Sequence, residues 1–331
     1  MKKILAALLL IGVAFAAEGY KVITKIKIGG TGGWDYVTVD SAAGRLYASH
    51  ATEVDVVDLA SGKVVGNIPQ LHGVHGIAVA DDLGKGFITN GQSNSVTVFN
   101  LKTLEKVGEP AAGGTNPDSV CYEPKTQRVF TFNGRTSNST VINAKTNEVI
   151  ATFPVGGKPE FCRADGAGKI YVNLEDTAEI AEIDAAKPAV TRHASISPCE
   201  EPSGLAIDTK DGVLFSSCGN KIMAVTDIKS LKVIATPAIG AGTDGAAFDP
   251  GTGLAFSSNG GDGTLSIVKQ VNGKWTTADT VETERGARTI TVDPKSHRVY
   301  LLAAEFGPLP EGKKGRPPVL PDSFHVVVVG R

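Results

Sequence analysis

Residues 116–157 read NPDSVCYEPKTQRVFTFNGRTSNSTVINAKTNEVIATFPVGG and contain four short β-type runs, at 118–122, 128–133, 139–143 and 148–153. Alternating or β-branched residues fill each run, while Pro, Lys, Thr, Asn and Gly lie between the runs. This pattern is typical of antiparallel strands joined by hairpins. Because one four-stranded sheet cannot bury both of its faces, the unit requires neighbours of the same kind.

The same unit recurs along the whole chain at intervals of 40 to 44 residues. Its first strands align as DYVTV (35–39), HGIAV (75–79), DSVCY (118–122), EFCRA (160–164), SGLAI (203–207), DGAAF (244–248) and RTITV (288–292). This is the period of propeller blades that have four strands each. The seven copies therefore predict an all-β, seven-bladed β-propeller of antiparallel strands, forming a single domain over residues 18–331.

The two ends of the chain predict how the ring closes. The last copy reaches its third strand at FHVVVV (324–329), and KVITKIKI (21–28) precedes the first copy without a blade of its own. Pairing these two segments would complete the last blade and remove a free sheet edge. A Pro- and Gly-rich loop at 306–323 interrupts the last copy. Loops of this length are either functional lids or mobile connections, and the sequence leaves both open.

The first residues, MKKILAALLLIGVAFAAE, have two lysines, a short apolar run and the small-residue site Ala14-Phe15-Ala16. These features predict a signal peptide over residues 1–17, cleavage near Ala16-Ala17, and a periplasmic or secreted protein. An uncleaved anchor is the alternative. The apolar run is shorter than the ~18 residues of an ordinary membrane span, and no later segment reaches that length. We therefore expect no membrane span after cleavage.

The charge of the chain gives no reason to expect a nucleic-acid partner. The formal net charge is −2 at pH 7 without a long run of like charges, so nothing points to a nucleic-acid partner.

Cys199 precedes the fifth inner strand and Cys218 ends the second strand of that copy. Antiparallel pairing would bring them together as a disulfide in an oxidising compartment, with two free thiols as the alternative. Cys121 and Cys162 lie within inner strands and are expected in the core.

Polar residues converge on one end of the predicted channel, where the inner strands begin and the second strands end. Convergent polar groups in a concave place predict a binding site, and a merely water-filled channel is the alternative. The candidate residues are Asp35, His50, His75, Asn90, Asp118, Asn133, Glu160, Asp244, Asn259 and Arg288.

Two kinds of chemistry are open at this mouth. Asp35, His50 and His75 could hold a divalent metal, such as zinc, or calcium with more oxygen ligands, although solvated or hydrogen-bonded histidines are the favoured explanation of the pattern. The carboxylates should also repel one another and raise at least one pKa unless Arg288 or a cation compensates. Such an arrangement suits general acid–base work or cation binding. Catalytic residues stay unassigned, because no nucleophile–base pair is visible.

The runs SNSVTVFNLKTLEKV (93–107) and NSTVINAKTNEVIATFPVGGKPE (138–160) resemble the repeat of the YncE-like, or YVTN-type, β-propeller family. Phe87-Ile88-Thr89-Asn90 stands where that family has Tyr-Val-Thr-Asn. The resemblance implies an exported bacterial propeller but little about chemistry, because related lactonase-like and haem-d1-type propellers are functionally mixed. The sequence thus predicts an exported propeller that binds a small ligand or protein partner at the mouth. A metal-assisted lactonase-like hydrolase or lyase, and a scaffold acting through its loops, are the alternatives.

Overall fold

The computed structural model describes residues 19–309, 312, 315 and 317–331. Within these residues, 28 strands form seven four-stranded antiparallel sheets. The innermost strand of each sheet contacts the innermost strand of the next, and the last contacts the first. The predicted seven-bladed β-propeller is therefore confirmed. The predicted signal peptide, 1–17, lies outside the described residues.

Blades 1 to 3 follow the chain in order, each from its inner strand outward. Blade 1 consists of β2 (Trp34–Asp40), β3 (Arg45–His50), β4 (Glu53–Asp58) and β5 (Lys63–Ile68). Blade 2 consists of β6 (Val74–Ala80), a 3-10 turn at Asp81–Leu83, β7 (Lys85–Asn90), β8 (Ser95–Asn100) and β9 (Lys106–Gly108). Blade 3 consists of β10 (Pro117–Glu123), β11 (Arg128–Asn133), β12 (Asn138–Asn143) and β13 (Val149–Pro154).

Blades 4 to 6 repeat the same order, and blade 7 contributes only three strands from the end of the chain. Blade 4 consists of β14 (Pro159–Ala164), β15 (Lys169–Leu174), β16 (Glu179–Asp184) and β17 (Ala189–Ser195). Blade 5 consists of β18 (Pro202–Asp208), β19 (Val213–Cys218), β20 (Met223–Asp227) and β21 (Lys232–Ala235). Blade 6 consists of β22 (Thr243–Asp249), β23 (Leu254–Asn259), β24 (Thr264–Val271) and β25 (Lys274–Glu282). Blade 7 consists of β26 (Ile290–Asp293), β27 (Arg298–Ala303) and β28 (His325–Gly330).

The fourth strand of blade 7 comes from the other end of the chain. Strand β1 (Lys21–Lys27) pairs antiparallel with β28, in a register that joins Lys21 to Gly330 and Lys27 to His325. The predicted closure by the N-terminal segment is confirmed, and the strand ends one residue before the predicted position 28. Ile26 packs in the same apolar cluster as Val326 and Val328. An ion pair of 2.7 Å between Lys25 Nζ and Glu284 Oε1 further ties β1 to the ring.

The core of the described chain lies between blades rather than within them. Each of seven clusters of buried apolar side chains draws mainly on two neighbouring blades. Phe130 of blade 3 and Ile170 of blade 4, for example, belong to one cluster and are fully buried. A single blade therefore has no core of its own, as the sequence pattern indicates.

Glycines in three inner strands allow neighbouring blades to approach closely around the channel. They occupy the second position of the aligned inner strands, at Gly76, Gly204 and Gly245. A Cβ atom built on Gly204 would lie 2.4 Å from the backbone nitrogen of Ala246 in the next blade. Real Cβ atoms do not approach backbone so closely, so the spacing of blades 5 and 6 requires glycine here.

We expect Gly204→Ala to lower the free energy of unfolding by about 2–3 kcal/mol, because the methyl group must push two inner strands apart. Gly33→Ala is the matched control, since its Cβ meets nothing within 4 Å and its backbone φ is not positive. Urea unfolding monitored by circular dichroism measures both variants. Equal midpoints for the two variants would contradict the close approach of these strands.

Cys199 and Cys218 form a disulfide with an S–S distance of 2.05 Å, joining the segment before β18 to the end of β19. Cys121 and Cys162 are free, buried thiols in the cluster between blades 3 and 4. Within the ranges that the structure covers, no helix has the length and apolar character needed to span a membrane.

Candidate functional site at the channel mouth

The structure brings five of the predicted residues around one cavity of about 150 Å³ at the mouth of the channel. Its polar wall consists of Asp35, Asp118, Glu160, Asp244 and Arg288. They come from five different blades, at or just before the start of each inner strand. The geometry follows from the repeat, because equivalent positions in the innermost strands reach the same depth of the channel.

Two aromatic side chains form the floor of this mouth cavity. The rings of Tyr36 and Phe161 lie with their centroids 4.4 Å apart. Both also line a second cavity of about 280 Å³ deeper in the channel. The aromatic pair therefore lies between the two spaces and makes the mouth a shallow cup rather than an open pore.

Two ion-pair networks organise the charges of the cup. His75 Nδ1 lies 2.5 Å from Asp35 Oδ2 and 3.8 Å from Asp118 Oδ1. On the other side, Arg288 Nε donates to Asp244 Oδ2 at 2.7 Å, and Arg288 Nη2 donates to the Trp34 carbonyl oxygen at 2.8 Å. Asp35 and Asp244 thus each have a basic side chain within hydrogen-bond distance, whereas among the described residues the basic group nearest to Asp118 is His75, at 3.8 Å.

Glu160 has a cationic partner from outside the cup. Lys158 Nζ lies 2.9 Å from Glu160 Oε1, and the same ammonium group also pairs with Glu175. Because Lys158 is shared between two carboxylates, it neutralises Glu160 only in part. The cup therefore carries more potential negative charge than its cations balance.

Crowding and burial raise the pKa of two of these carboxyl groups into the neutral range. Burial, together with the nearby Asp35 and Asp244, raises the pKa of Asp118 to about 7. Burial and the neighbouring Asp118 raise the pKa of Glu160 to about 8, although Lys158 acts in the opposite direction. Burial alone would lower the pKa of His75, but the hydrogen bond to Asp35 and the charge of Asp118 raise it overall. The expectation that at least one carboxyl pKa rises is thus met by Asp118 and Glu160.

Three predicted mouth residues lie inside their blades instead. The side-chain amides at the ends of three second strands are buried and donate to the third strand of the same blade. The contacts are Asn90 Nδ2 to Thr97 Oγ1 at 2.9 Å, Asn133 Nδ2 to Asn138 Oδ1 at 2.8 Å, and Asn259 Nδ2 to Ser266 Oγ at 2.9 Å. A second strand lies one strand spacing away from the channel, so its end is covered by the third strand. These asparagines fix turns and do not line the mouth.

His50 also lies away from the cup, which corrects the predicted metal set of Asp35, His50 and His75. Its side chain is 2% exposed, its Nδ1 lies 3.0 Å from Asp55 Oδ2, and its ring packs on Phe324. The reason is the same as for the asparagines, because His50 ends the second strand of blade 1.

The structure instead groups Asp35, His75 and Asp118, whose potential ligand atoms lie within 4.8 Å of one another. Two carboxylates and an imidazole are a donor set that suits zinc or a similar divalent ion. A metal there would replace the direct hydrogen bond between His75 and Asp35.

Sequence reasoning missed the aromatic floor. Tyr36 and Phe161 occupy the second position of the aligned inner strands, where other blades have Gly76, Ser119 or Gly204. Two large rings at a position that is otherwise small or polar are a signal that the alignment already contains. They indicate that these side chains fill the channel centre.

Comparisons with known proteins establish the fold alone. No protein-family model matches the chain, and no curated protein matches it. A solved structure titled "Structure of U3-55K" superimposes with a TM-score of 0.74 at 9% sequence identity. The superposition covers 92% of this chain and 97% of that one. At this level of identity the similarity extends to the propeller architecture and not to the site.

Proposed function

We infer that this protein is an exported propeller whose channel mouth binds a small ligand carrying a positive charge, either an amine or a divalent cation. The observation that carries this inference is the cup of four carboxyl groups from four blades, in which crowding and burial raise the pKa of Asp118 and Glu160. Export rests on the N-terminal Lys2-Lys3, apolar run and Ala14-Phe15-Ala16 site. Membership of the YncE-like group rests on the repeats at 93–107 and 138–160.

A positive charge bound in the cup would reduce the electrostatic repulsion between its carboxylates. Asp118 and Glu160 are forced close to other carboxylates, so each ionises only at the expense of like-charge repulsion. A bound cation favours the ionised forms of both side chains, because its attraction to the carboxylates offsets their mutual repulsion. A cavity of about 150 Å³ fits an ammonium group or a partly hydrated metal ion better than a protein surface. A small ligand is therefore favoured over a protein partner.

The grouping of Asp35, His75 and Asp118 supports a second candidate function, metal-assisted hydrolysis of a lactone or related ester. A divalent ion held by three protein ligands leaves coordination positions for water and substrate. Such an ion supplies Lewis-acid polarisation of a carbonyl oxygen. Here Asp35, His75 and Asp118 would hold the ion, and the Glu160 carboxylate would lie beside it as a candidate general base.

Calorimetric titration with Ca²⁺, Mn²⁺, Zn²⁺ and 1,4-diaminobutane tests the binding function. At pH 7 we expect saturable binding of at least one of these cations with release of about one proton, because Asp118 and Glu160 lose protons when the cation binds. Titrations in two buffers with different ionisation enthalpies measure that release. Asp118→Asn should weaken binding about tenfold and reduce the proton release.

Asp211→Asn is the matched control, because Asp211 is an exposed acid in the β18–β19 turn at the opposite end of blade 5. It should bind cations as the wild type does. Absence of saturable binding across the panel, or equal affinity in Asp118→Asn and wild type, would refute the cation-binding cup. Zinc-dependent lactone turnover that His75→Ala abolishes would establish the second function instead.

A further inference from the structure

A larger cavity, of about 560 Å³, lies beside the cup and shares Arg288 with it. We call it the side pocket. It is lined by Trp34 of blade 1, by Gly260 and Gly261 in the β23–β24 turn of blade 6, and by Arg285 before the inner strand of blade 7. No function described so far uses this space.

The described ends of the 306–323 loop roof the side pocket. Phe306 and Val319 form a β-bridge, and the Gly307 backbone N–H donates to the Pro318 carbonyl oxygen at 2.8 Å. The Leu320 N–H donates to the Glu305 carbonyl oxygen at 2.8 Å, so the two ends of the loop run together as a short arm. Phe306, Pro317 and Val319 from this arm line the pocket.

The wall of the side pocket is largely apolar. The Trp34 ring lies 6.0 Å from the Phe306 ring, and the Arg288 guanidinium lies 5.7 Å above Trp34. At Gly33, which also lines the pocket, an added Cβ would meet no atom within 4 Å. Apolar lining with a few polar groups is the usual character of a small-molecule site.

The charge of the side pocket is positive, in contrast to the cup. Arg288 is already paired with Asp244, so it contributes little free charge. Arg285 is exposed, and among the residues that the structure describes none accepts a hydrogen bond or ion pair from its side chain. The described lining of the pocket contains no carboxylate. The electrostatic complement of this space is therefore an anion.

We propose that the side pocket binds a small organic anion with an apolar ring body, the body between Trp34, Phe306 and Val319 and the anionic group at Arg285. This site uses neither Asp118 nor Glu160 and does not depend on a cation in the cup. A failure of the cation-binding function would leave it intact, and its own failure would leave the cup intact.

Two fluorescent probes with nearly the same ring system separate the two parts of the proposal. 8-Anilinonaphthalene-1-sulfonate carries an anionic group, and N-phenyl-1-naphthylamine does not. We expect the wild type to bind one molecule of the sulfonate per chain. Arg285→Gln should weaken sulfonate binding about three- to tenfold and leave the uncharged probe unaffected. Gly33→Leu should weaken binding of both probes, because the added side chain would take up space in the pocket next to Trp34, where the ring body is placed.

Arg135→Gln is the matched control, because Arg135 is an exposed arginine in the β11–β12 turn, on the same face of the ring in blade 3. It should change neither affinity. Thermal unfolding verifies that each variant is folded, and if Gly33→Leu does not fold, Arg285→Gln decides the matter. Unchanged sulfonate affinity in Arg285→Gln, equal weakening of both probes, or wild-type binding in folded Gly33→Leu would overturn the proposal.

Discussion

A chain that starts at Ile28, and so lacks β1, should lose about 4–5 kcal/mol of folding free energy and aggregate. Burial of Ile26 alone is worth about 2–3 kcal/mol, and the backbone hydrogen bonds of β1 to β28 are lost as well. Typical domains are stable by only about 5–15 kcal/mol. The exposed edge would be β28, whose HVVVVG sequence is fully apolar over four residues. Such an edge pairs readily with other chains.

Size-exclusion chromatography and thermal unfolding measure this effect. A chain that starts at Gly19 is the matched control, because it removes the N-terminal residues but keeps β1. We expect this control to elute as the full chain does and to melt at the same temperature. If the chain starting at Ile28 remained unaggregated with an unchanged melting temperature, closure by β1 would contribute nothing to stability.

Glu160→Gln should stabilise the protein at pH 8.5 by about 2–3 kcal/mol and have almost no effect at pH 4.5. The pKa of Glu160 is about 8 in the folded protein, compared with an ordinary value of 4.5. Between these values the folded state keeps a proton that the unfolded state has lost, so the wild type loses stability as the pH rises. Glutamine removes this loss. We expect about half of the effect of the full pKa shift, because water reaches the side chain, which is 15% exposed.

Urea unfolding at several pH values between 4.5 and 8.5 gives the free energy of unfolding as a function of pH for the wild type and for Glu160→Gln. Glu105→Gln provides the control, since Glu105 is exposed in the β8–β9 connection and lies outside the cup. Its curve should run parallel to that of the wild type, whereas the Glu160→Gln curve should be flatter. If the curves of both variants ran parallel to that of the wild type, the pKa of Glu160 would not be raised in the folded protein.

The cup residues could be predicted from the sequence because the repeat places equivalent inner-strand residues at the same level of the channel. Asp35, Asp118, Glu160 and Asp244 open aligned inner strands, and none of the described strands lies between them and the channel. The ends of the second strands align equally well, but alignment does not show what covers them. Asn90 is covered because Thr97 of the next strand offers a hydroxyl to its amide.

The side pocket could not have been found from the repeat. Its roof comes from the loop at 306–323, which has no counterpart in the other six copies and therefore no aligned position to compare. Its wall at Trp34 depends on the contact of that ring with Phe306, which lies more than 270 residues later in the chain. Periodic sequence patterns predict regular strands, whereas contacts between an insertion and a strand far along the chain require coordinates.

The pairing of β1 with β28 also sets the order in which the molecule can be made. Residues 21–27 emerge from the ribosome long before their hydrogen-bonding partners, 325–330. The ring cannot close before β28 has been synthesised, because β1 has no strand to pair with until then. The nascent protein must therefore carry an unpaired β1 until residues 325–330 emerge, and a chaperone would be needed most during this interval.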